Sequence, residues 1–331
     1  MSQVESQAVG YELIETPSAN KIAALWMQNP PVNALSKSVR VGLIEHLNTA
    51  FADDSVEVIV ISSKQNLFSG GADISEFSGG DLEPNLPAVL DVIENSPKPV
   101  VAVLNGPAFG GGLEVALSCH YRVTFASNKV GLPEVNLGIL PGAGGTQRLP
   151  RLAGVQQALD MIVSGRPVAA KKLPGVFDVI VDSPETLLSS ALEFCEKVIA
   201  DGSKVRKTCD VQIDVSTAPK ELFAQYRQGL ATKARGFFAP ERCIQAVEAS
   251  IELPFAQGLV REGELFMECM RSKEARAQQH FFFAERAASH VKDFNKETPI
   301  TDTKTVGIIG AGTMGGGIAM NLARRIYTPR G

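Results

Sequence analysis

The segment VVAVLNGPAFGGGLE, residues 100–114, determines the fold class of this 331-residue chain. Its first five residues are all apolar, and residues 58–61, VIVI, form a second run of the same kind. Strands without polar alternation are typical of sheets that are covered on both faces, as in α/β proteins. We therefore predict an α/β fold. The predicted strands cover residues 21–27, 56–62, 100–105, 121–126 and 177–181.

Helical patterns lie between and after these strands. Residues 36–51 begin with Ser36, a residue type that favours helix N-caps, and carry four apolar residues at steps of four. Those four are Val39, Leu43, Leu47 and Phe51. Beyond residue 185 the chain is charged and rich in alanine, which predicts a helical region. The predicted helices there cover residues 185–200, 219–234, 240–251 and 259–291.

The last of these segments repeats apolar pairs four residues apart. The pairs are Leu265–Phe266 and Cys269–Met270, and Phe281-Phe282-Phe283 follow them. Such a stripe is typical of helix packing and does not indicate a cofactor site. We expect all of these side chains to pack inside the protein.

Charge and cysteine content exclude several classes of function. The formal net charge is −4 and the sequence pI is about 5.7, so we expect neither nucleic acid nor an anionic membrane as a partner. The five cysteines include no C-x-x-C spacing, which predicts no metal site and indicates a reducing compartment. Residues 306–323 are uncharged but contain six glycines. We therefore expect no membrane insertion.

Two glycine-rich turns follow predicted strands. They are FSGGADI, residues 68–74, and NGPAFGGGLE, residues 105–114. Glycine permits turns that leave main-chain N–H groups directed into a cleft, and a helix beginning at Gly112 would add its positive end. Neither turn is followed by Gly-Lys-Ser/Thr, so neither is a P-loop. Together the two turns predict a site that binds a developing oxyanion.

Two glutamates near these turns lie in apolar sequence surroundings. Glu114 is flanked by Leu113 and Val115, and Glu134 stands in GLPEVNL, residues 131–137. A buried carboxyl group needs a partner or a raised pKa, and a raised pKa suits a general acid or base. Both glutamates are therefore candidate catalytic residues.

Four segments resemble, in order and spacing, the crotonase (enoyl-CoA hydratase/isomerase) superfamily. They are residues 33–35, 69–74, 105–114 and 133–150. The resemblance implies a crotonase-like core of ββα units arranged as a spiral. It also implies that the N–H groups of Ala72 and Gly111 bind the thioester oxygen, and that Ala72, Asp73 and Ile74 lie along the CoA moiety. Glu114 and Glu134 are similar to the pair that holds water in hydratases.

The predicted activity is hydration of trans-2-enoyl-CoA to 3-hydroxyacyl-CoA in fatty-acid β-oxidation. We assign water deprotonation to Glu114 and proton delivery to C2 to Glu134, with no metal or cofactor required. Two alternatives remain open. One is a Δ3,Δ2-enoyl-CoA isomerase in the same site, and the other is a non-catalytic partner of a full-length bifunctional enzyme.

A dinucleotide fingerprint occurs near residue 310. The run TVGII, residues 305–309, predicts a strand that enters GAGTMG, in which Gly310, Gly312 and Gly315 form the G-x-G-x-x-G pattern of NAD-binding turns. With the helical region, it makes the chain resemble the N-terminal part of bifunctional enoyl-CoA hydratase/3-hydroxyacyl-CoA dehydrogenases. Residues 316–331 contain no Asp or Glu for the ribose. We therefore expect an incomplete NAD motif and no hydride transfer.

These observations predict four segments. They are a hydratase domain (1–185), a helical region (186–292), a polar linker (293–302) and the start of a Rossmann domain (303–331). The N-terminus has no secretory signal and the final PRG is not a peroxisomal address. We expect an intracellular protein, of the peroxisomal matrix in a eukaryote or the cytoplasm in a bacterium. A homo-oligomer is compatible with this sequence.

Overall fold

The computed structural model describes residues 8–79, 82–288, 299 and 304–326. The chain divides into two compact units, Met1–Phe283 and Ala284–Gly331. The strands are β1 Val9–Glu15, β2 Lys21–Met27, β3 Val56–Ser63, β4 Val100–Leu104, β5 Ala108–Phe109, β6 Tyr121–Phe125, β7 Lys129–Gly131, β8 Val168–Ala169 and β9 Val179–Val181. The helices are α1 Lys37–Ala52, α2 Leu86–Glu94, α3 Gly111–Ser118, α4 Gly145–Ala153, α5 Val155–Ser164, α6 Leu187–Ala200, α7 Lys220–Lys233, α8 Ala239–Glu252, α9 Phe255–Arg271, α10 Lys273–Ala288 and α11 Thr313–Ile326.

Six strands form the main sheet, in the order β1-β2-β3-β4-β6-β9. Strand β1 is antiparallel to β2, and every other neighbouring pair is parallel. Strands β5, β7 and β8 form a second, smaller sheet. Because the ends of parallel strands share one edge, the loops that follow β3 and β4 are brought side by side.

Both faces of the main sheet are covered, as the apolar strands predict. Along β4, Val100, Ala102 and Leu104 belong to the larger core, whereas Val101 and Val103 face a second core. The second core is closed by α6, whose Leu187, Ala191, Cys195 and Val198 are buried. Burial on both sides explains why β3 and β4 show no polar alternation.

The predicted strands of the main sheet are confirmed. Strand β2 has the predicted bounds, β3, β4 and β6 differ from them by one residue, and β9 begins two residues later. Helix α1 follows Ser36 as predicted, but the Ser36 side chain makes no cap bond. The Glu76 carboxylate takes that role, because Oε1 accepts a 2.8 Å hydrogen bond from the Lys37 N–H.

The predicted helix over residues 259–291 is two helices in the described part of the chain. Helices α9 and α10 are separated at Ser272, which is extended (ψ 154°) and whose hydroxyl accepts from the Ala275 N–H. Leu265 and Cys269 are buried as predicted. Phe281 and Phe283 are 67% and 46% exposed, so the expectation that they pack inside the protein was wrong.

Residues 304–326 belong to the second unit. The strand predicted over residues 305–309 is absent there, because none of the described residues pairs with this segment. Helix α11 begins at Thr313, and Gly310 has a φ of +100°. A Cβ on Gly315 would lie 2.0 Å from the Gly310 carbonyl oxygen. The turn and the helix therefore approach too closely for any residue but glycine at position 315.

Candidate active site

The two glycine-rich turns lie against each other at the end of the sheet. The Phe109 N–H donates a 2.9 Å hydrogen bond to the Ser69 carbonyl. A Cβ on Gly111 would lie 3.3 Å from the Ala72 nitrogen, and one on Gly71 would lie 3.4 Å from the Gly111 nitrogen. This close approach requires glycine at position 71, where φ is +105°.

Two main-chain donors are left over at this junction. Helix α3 begins at Gly111, one residue before the predicted start, so the Gly111 N–H is a first-turn amide without an acceptor inside its helix. Within the described residues, neither this N–H nor that of Ala72 has a protein acceptor. Two adjacent donors at the positive end of a helix are suited to a developing negative charge.

A cavity of about 290 Å³ opens beside these donors. Five of the six predicted hydratase-site residues line it, and Ile74 is the exception. The five are Ala72, Asp73, Gly111, Glu114 and Glu134. The Asp73 carboxylate is used within its own turn, because Oδ1 accepts from the Ser75 N–H and hydroxyl. Oδ1 of Asp73 is therefore engaged within the turn that lines the cavity.

Glu114 is buried, with 2% of its surface exposed. Its Oε1 atom accepts hydrogen bonds of 2.8 Å from the N–H groups of both Ala143 and Gly145. Burial raises the pKa of Glu114, and the two N–H groups and the Arg148 guanidinium oppose that rise. The opposing contacts stabilise the carboxylate form and leave Oε2 as the oxygen not used by these bonds.

Glu134 begins a 3₁₀ turn, Glu134–Leu137, and approaches α3 from the other side of the glycine turn. A Cβ on Gly110 would lie 2.9 Å from Glu134 Oε1, and Gly110 has a φ of +53°. The Oε2 atom is buried and has no hydrogen-bond partner among the described residues. Burial, and next the Glu114 charge, raise the pKa of Glu134 well above its ordinary value. This carboxyl group therefore retains its proton more strongly than Glu114.

Another buried carboxylate, which the sequence analysis missed, binds the same segment as Glu114. Glu262 of α9 is 2% exposed and accepts from the Gly144 N–H, the Thr146 N–H and the Thr146 hydroxyl. It stands on a stripe of buried residues spaced four, three and four apart. The stripe is Gly258, Glu262, Leu265 and Cys269. A glutamate on such an apolar stripe was the available signal.

The remaining walls of the cavity are mostly apolar. Helix α9 contributes Gly263, Phe266 and Met267, the segment before α2 contributes Leu82, and α2 itself contributes Leu86. At the rim, the Arg40 guanidinium pairs with Glu76 at 2.8 Å. It also donates to the carbonyls of residues 35, 82 and 84. The Arg40 side chain thus links residue 35 to residues 76, 82 and 84.

The described ranges, 8–79, 82–288, 299 and 304–326, carry neither a metal-ligating cluster nor a membrane span. No group of three metal-ligating side chains occurs among those residues. None of the helices described there combines the length and the apolar character needed to cross a membrane. All five cysteines are unpaired.

An α/β core whose cavity carries two N–H donors and two glutamates matches the crotonase type that the sequence resembles. Residues 18–234 match the family model described as enoyl-CoA hydratase/isomerase, and the chain belongs to that family. The α/β crotonase-like fold and its helical C-terminal region are therefore confirmed.

Comparison with known proteins agrees with this assignment. The chain is 40% identical over 321 residues to the peroxisomal bifunctional enzyme of Danio rerio, covering 95% of this chain and 44% of that protein. It is also 40% identical over 312 residues to the Homo sapiens protein of the same name, covering 92% and 43%. The chain thus spans less than half the length of these relatives.

A solved structure of enoyl-CoA hydratase from Bacillus anthracis has the same fold. Its TM-score is 0.54 at 26% sequence identity, and the match covers 85% of this chain and 97% of that one.

Proposed function

We propose that this chain hydrates trans-2-enoyl-CoA thioesters to 3-hydroxyacyl-CoA. The observation that carries the proposal is the convergence on one cavity of two N–H donors without protein acceptors and two glutamates, of which Glu114 is buried and Glu134 half-buried. Hydration needs both the donors and the glutamates. Negative charge develops on the thioester oxygen, while one proton leaves the water that attacks C3 and another is delivered to C2.

The N–H groups of Ala72 and Gly111 bind the thioester oxygen in this proposal. When water attacks C3, the electrons of the C2–C3 double bond move towards the carbonyl and form an enolate. The two donors lie at the junction of the glycine turns and need no rearrangement to meet that charge. Each such donor contributes about 3 kcal/mol to transition-state stabilisation in other enzymes.

The two glutamates divide the proton transfers. Glu114 accepts the proton of the attacking water in this proposal. Burial raises its pKa, which suits a general base, and two N–H groups and Arg148 limit that rise. Glu134 donates a proton to C2, since burial and the neighbouring Glu114 charge favour its protonated form. One water has then been added across the double bond, and return of a proton from Glu114 to Glu134 restores the starting state. Environments that separate two pKa values in this way assign the base and the acid.

The CoA moiety is proposed to run along Ala72, Asp73 and Ile74. The backbone of this turn is available for that contact because the Asp73 side chain is held within the turn. The acyl chain would occupy the apolar part of the cavity, against Phe266 and Met267. Fatty-acid β-oxidation is the proposed pathway, because a Cucumis sativus relative, 34% identical, is named a glyoxysomal fatty acid beta-oxidation multifunctional protein. An organelle of the peroxisomal type is the corresponding location.

The glycines near residue 310 are proposed to hold the pyrophosphate of NAD. The positive φ of Gly310 and its close approach to Gly315 fit such a turn, which presents N–H groups at the start of α11. The activity proposed for this chain includes no transfer of hydride to NAD. Hydration itself involves no residue of this segment.

Purified protein with crotonyl-CoA tests the proposal. Loss of the absorbance of the conjugated thioester, together with a product heavier by one water, is the expected result. A 3-enoyl-CoA substrate tests the isomerase alternative, because isomerisation creates the conjugated absorbance. Absence of both changes with folded protein would favour the non-catalytic alternative.

A further inference from the structure

Glu262 makes more polar contacts than either proposed catalytic glutamate, although it belongs to the helical region. Its Oε1 atom accepts from the Gly144 N–H at 2.6 Å. Its Oε2 atom accepts from the Thr146 N–H at 3.0 Å and from the Thr146 hydroxyl at 2.5 Å. A buried carboxylate with three donors, all from one short segment, fixes the conformation of that segment.

Four successive N–H groups of residues 143–146 alternate between two carboxylates. Those of Ala143 and Gly145 donate to Glu114, and those of Gly144 and Thr146 donate to Glu262. The segment leads into α4, whose first N–H groups have no acceptor within the helix. The direction of one pair of N–H groups therefore fixes the direction of the other.

The backbone of this segment has little freedom to compensate for a change. Gly144 has a φ of +94°, and a Cβ on Gly145 would lie 2.8 Å from Glu114 Oε1. The segment needs glycine at both positions, and glycine alone does not hold a conformation. The bonds to Glu262 supply the missing constraint.

We infer that Glu262 is a positioning residue for hydration, which holds residues 143–146 so that the Ala143 and Gly145 N–H groups orient Glu114. The inference rests on the proposed function, because it assigns Glu114 the task of binding water. Glu262 itself does not line the cavity.

The charges around Glu262 predict that its replacement changes the pH dependence of kcat. Burial, and next the Glu114 charge, raise the pKa of Glu262 to about 8. Its own charge in turn helps to raise the pKa of Glu134. Arg148, the cation that opposes the rise in the pKa of Glu114, is paired with Glu94. Glu262 acquires this charge only as pH rises through about 8, so Glu262→Gln should lower the pKa of Glu134 in that range and move the alkaline limb of the kcat profile to lower pH.

The test compares Glu262→Gln with Glu264→Gln in the full chain. Glu264 lies on the same helix, its side chain is 58% exposed, and it pairs only with Arg261 three residues earlier. For Glu262→Gln we expect kcat for crotonyl-CoA to fall by about 10- to 100-fold, the scale of a small misplacement of a reacting group. KM should change little, and the alkaline limb should shift. Glu264→Gln should match the wild type in kcat, in KM and in the alkaline limb of the pH profile.

Amide hydrogen exchange gives a second measurement that does not depend on turnover. Exchange at residues 143–146 should be faster in Glu262→Gln than in Glu264→Gln. If Glu262→Gln does not fold, Thr146→Ala removes one of the three donors and should lower kcat in the same direction by a smaller factor.

The possible results separate the two proposals. An inactive wild type would overturn the hydratase assignment, and the exchange comparison would still decide whether Glu262 holds the segment. Unchanged kcat, pH profile and exchange in folded Glu262→Gln would overturn the positioning role. Equal losses in both variants would overturn it as well.

Discussion

Arg148 and Glu94 form a buried ion pair that supports the loop holding Glu114. Arg148 Nη2 lies 2.7 Å from Glu94 Oε2, and the two side chains are only 4% and 5% exposed. The same guanidinium donates to the Ala143 carbonyl at 3.1 Å, and the Ala143 N–H donates to Glu114. A salt bridge between α2 and α4 is therefore two contacts away from the proposed base.

Removal of one partner of this pair should destabilise the fold. We expect Glu94→Gln to lower the free energy of unfolding by about 3 to 5 kcal/mol, because Arg148 would remain buried without its counter-charge. Urea denaturation measures the change. Glu252→Gln, at the exposed end of α8, is the control and should stay within about 0.5 kcal/mol of the wild type. A similar small effect for Glu94→Gln would show that the pair is not needed for stability.

The proposed acid and base should each be essential for turnover. Glu114→Gln and Glu134→Gln should each lower kcat for hydration by at least about 100-fold, the scale of a lost general base or acid, with the circular dichroism spectrum unchanged. Isomerisation of a 3-enoyl-CoA should depend more on Glu134 than on Glu114. Near wild-type hydration by either variant would exclude the two-carboxylate assignment.

Substitution by proline tests the two main-chain N–H donors of the proposed oxyanion site. Gly111→Pro and Ala72→Pro each delete one proposed donor and should abolish turnover. Circular dichroism and affinity for CoA must first show that the loop is intact. A folded variant with normal activity would contradict the proposed oxyanion site.

The close approach of Gly110 to Glu134 allows the position of the Glu134 carboxyl group to be tested without replacing Glu134 itself. Gly110→Ala places a methyl group 2.9 Å from Glu134 Oε1 at a φ of +53°, so the carboxyl group must move. We expect kcat to fall by about 10-fold or more. Gly229→Ala is the matched control, because this helical glycine has nothing within 4 Å of a built Cβ. That change should leave kcat unaltered and favour the helix slightly.

Stability should decrease with rising pH on the alkaline side of neutrality. The pKa of Glu262 is raised to about 8 in the folded state from an ordinary 4.5, so the folded protein holds a proton that the unfolded chain releases. This contribution is complete below pH 4.5 and is lost as pH rises through 8. Between about pH 6.5 and about pH 8, the free energy of unfolding should fall by about 1 to 2 kcal/mol.

Denaturant titrations at the two pH values measure this loss. Glu262→Gln should have a flatter dependence, and the exposed Glu264→Gln should keep the wild-type slope. Stability that rises over the same interval would contradict the shifted pKa.

Strands were predicted correctly from the sequence where burial on both faces produces a continuous run of apolar residues. Strands such as β4 are apolar on both sides, so their bounds were predicted to within a residue or two. Strand β1 was missed because it is a largely exposed edge strand with mixed composition. Residues 305–309 have the composition of a strand, but composition does not supply the neighbour that a strand requires.

The site was predictable only in its local parts. Ala72, Gly111, Glu114 and Glu134 lie in or beside glycine-rich motifs that are close in sequence, and the structure brings them to one cavity. Glu262 is far from all of them in sequence, and its contact with residues 144–146 exists only after α9 has packed on α4. The roles of the four predicted residues, like the domain boundaries, stay predictions.

The position of α9 has a practical consequence for anyone who wishes to move this activity into another protein. The family match ends at residue 234, yet Gly263, Phe266 and Met267 form part of the cavity wall. A fragment cut at the end of the matched region would lack one side of its substrate chamber. The compact unit that contains the whole of this wall extends to Phe283, so a transferable piece should reach about fifty residues beyond the end of the family match.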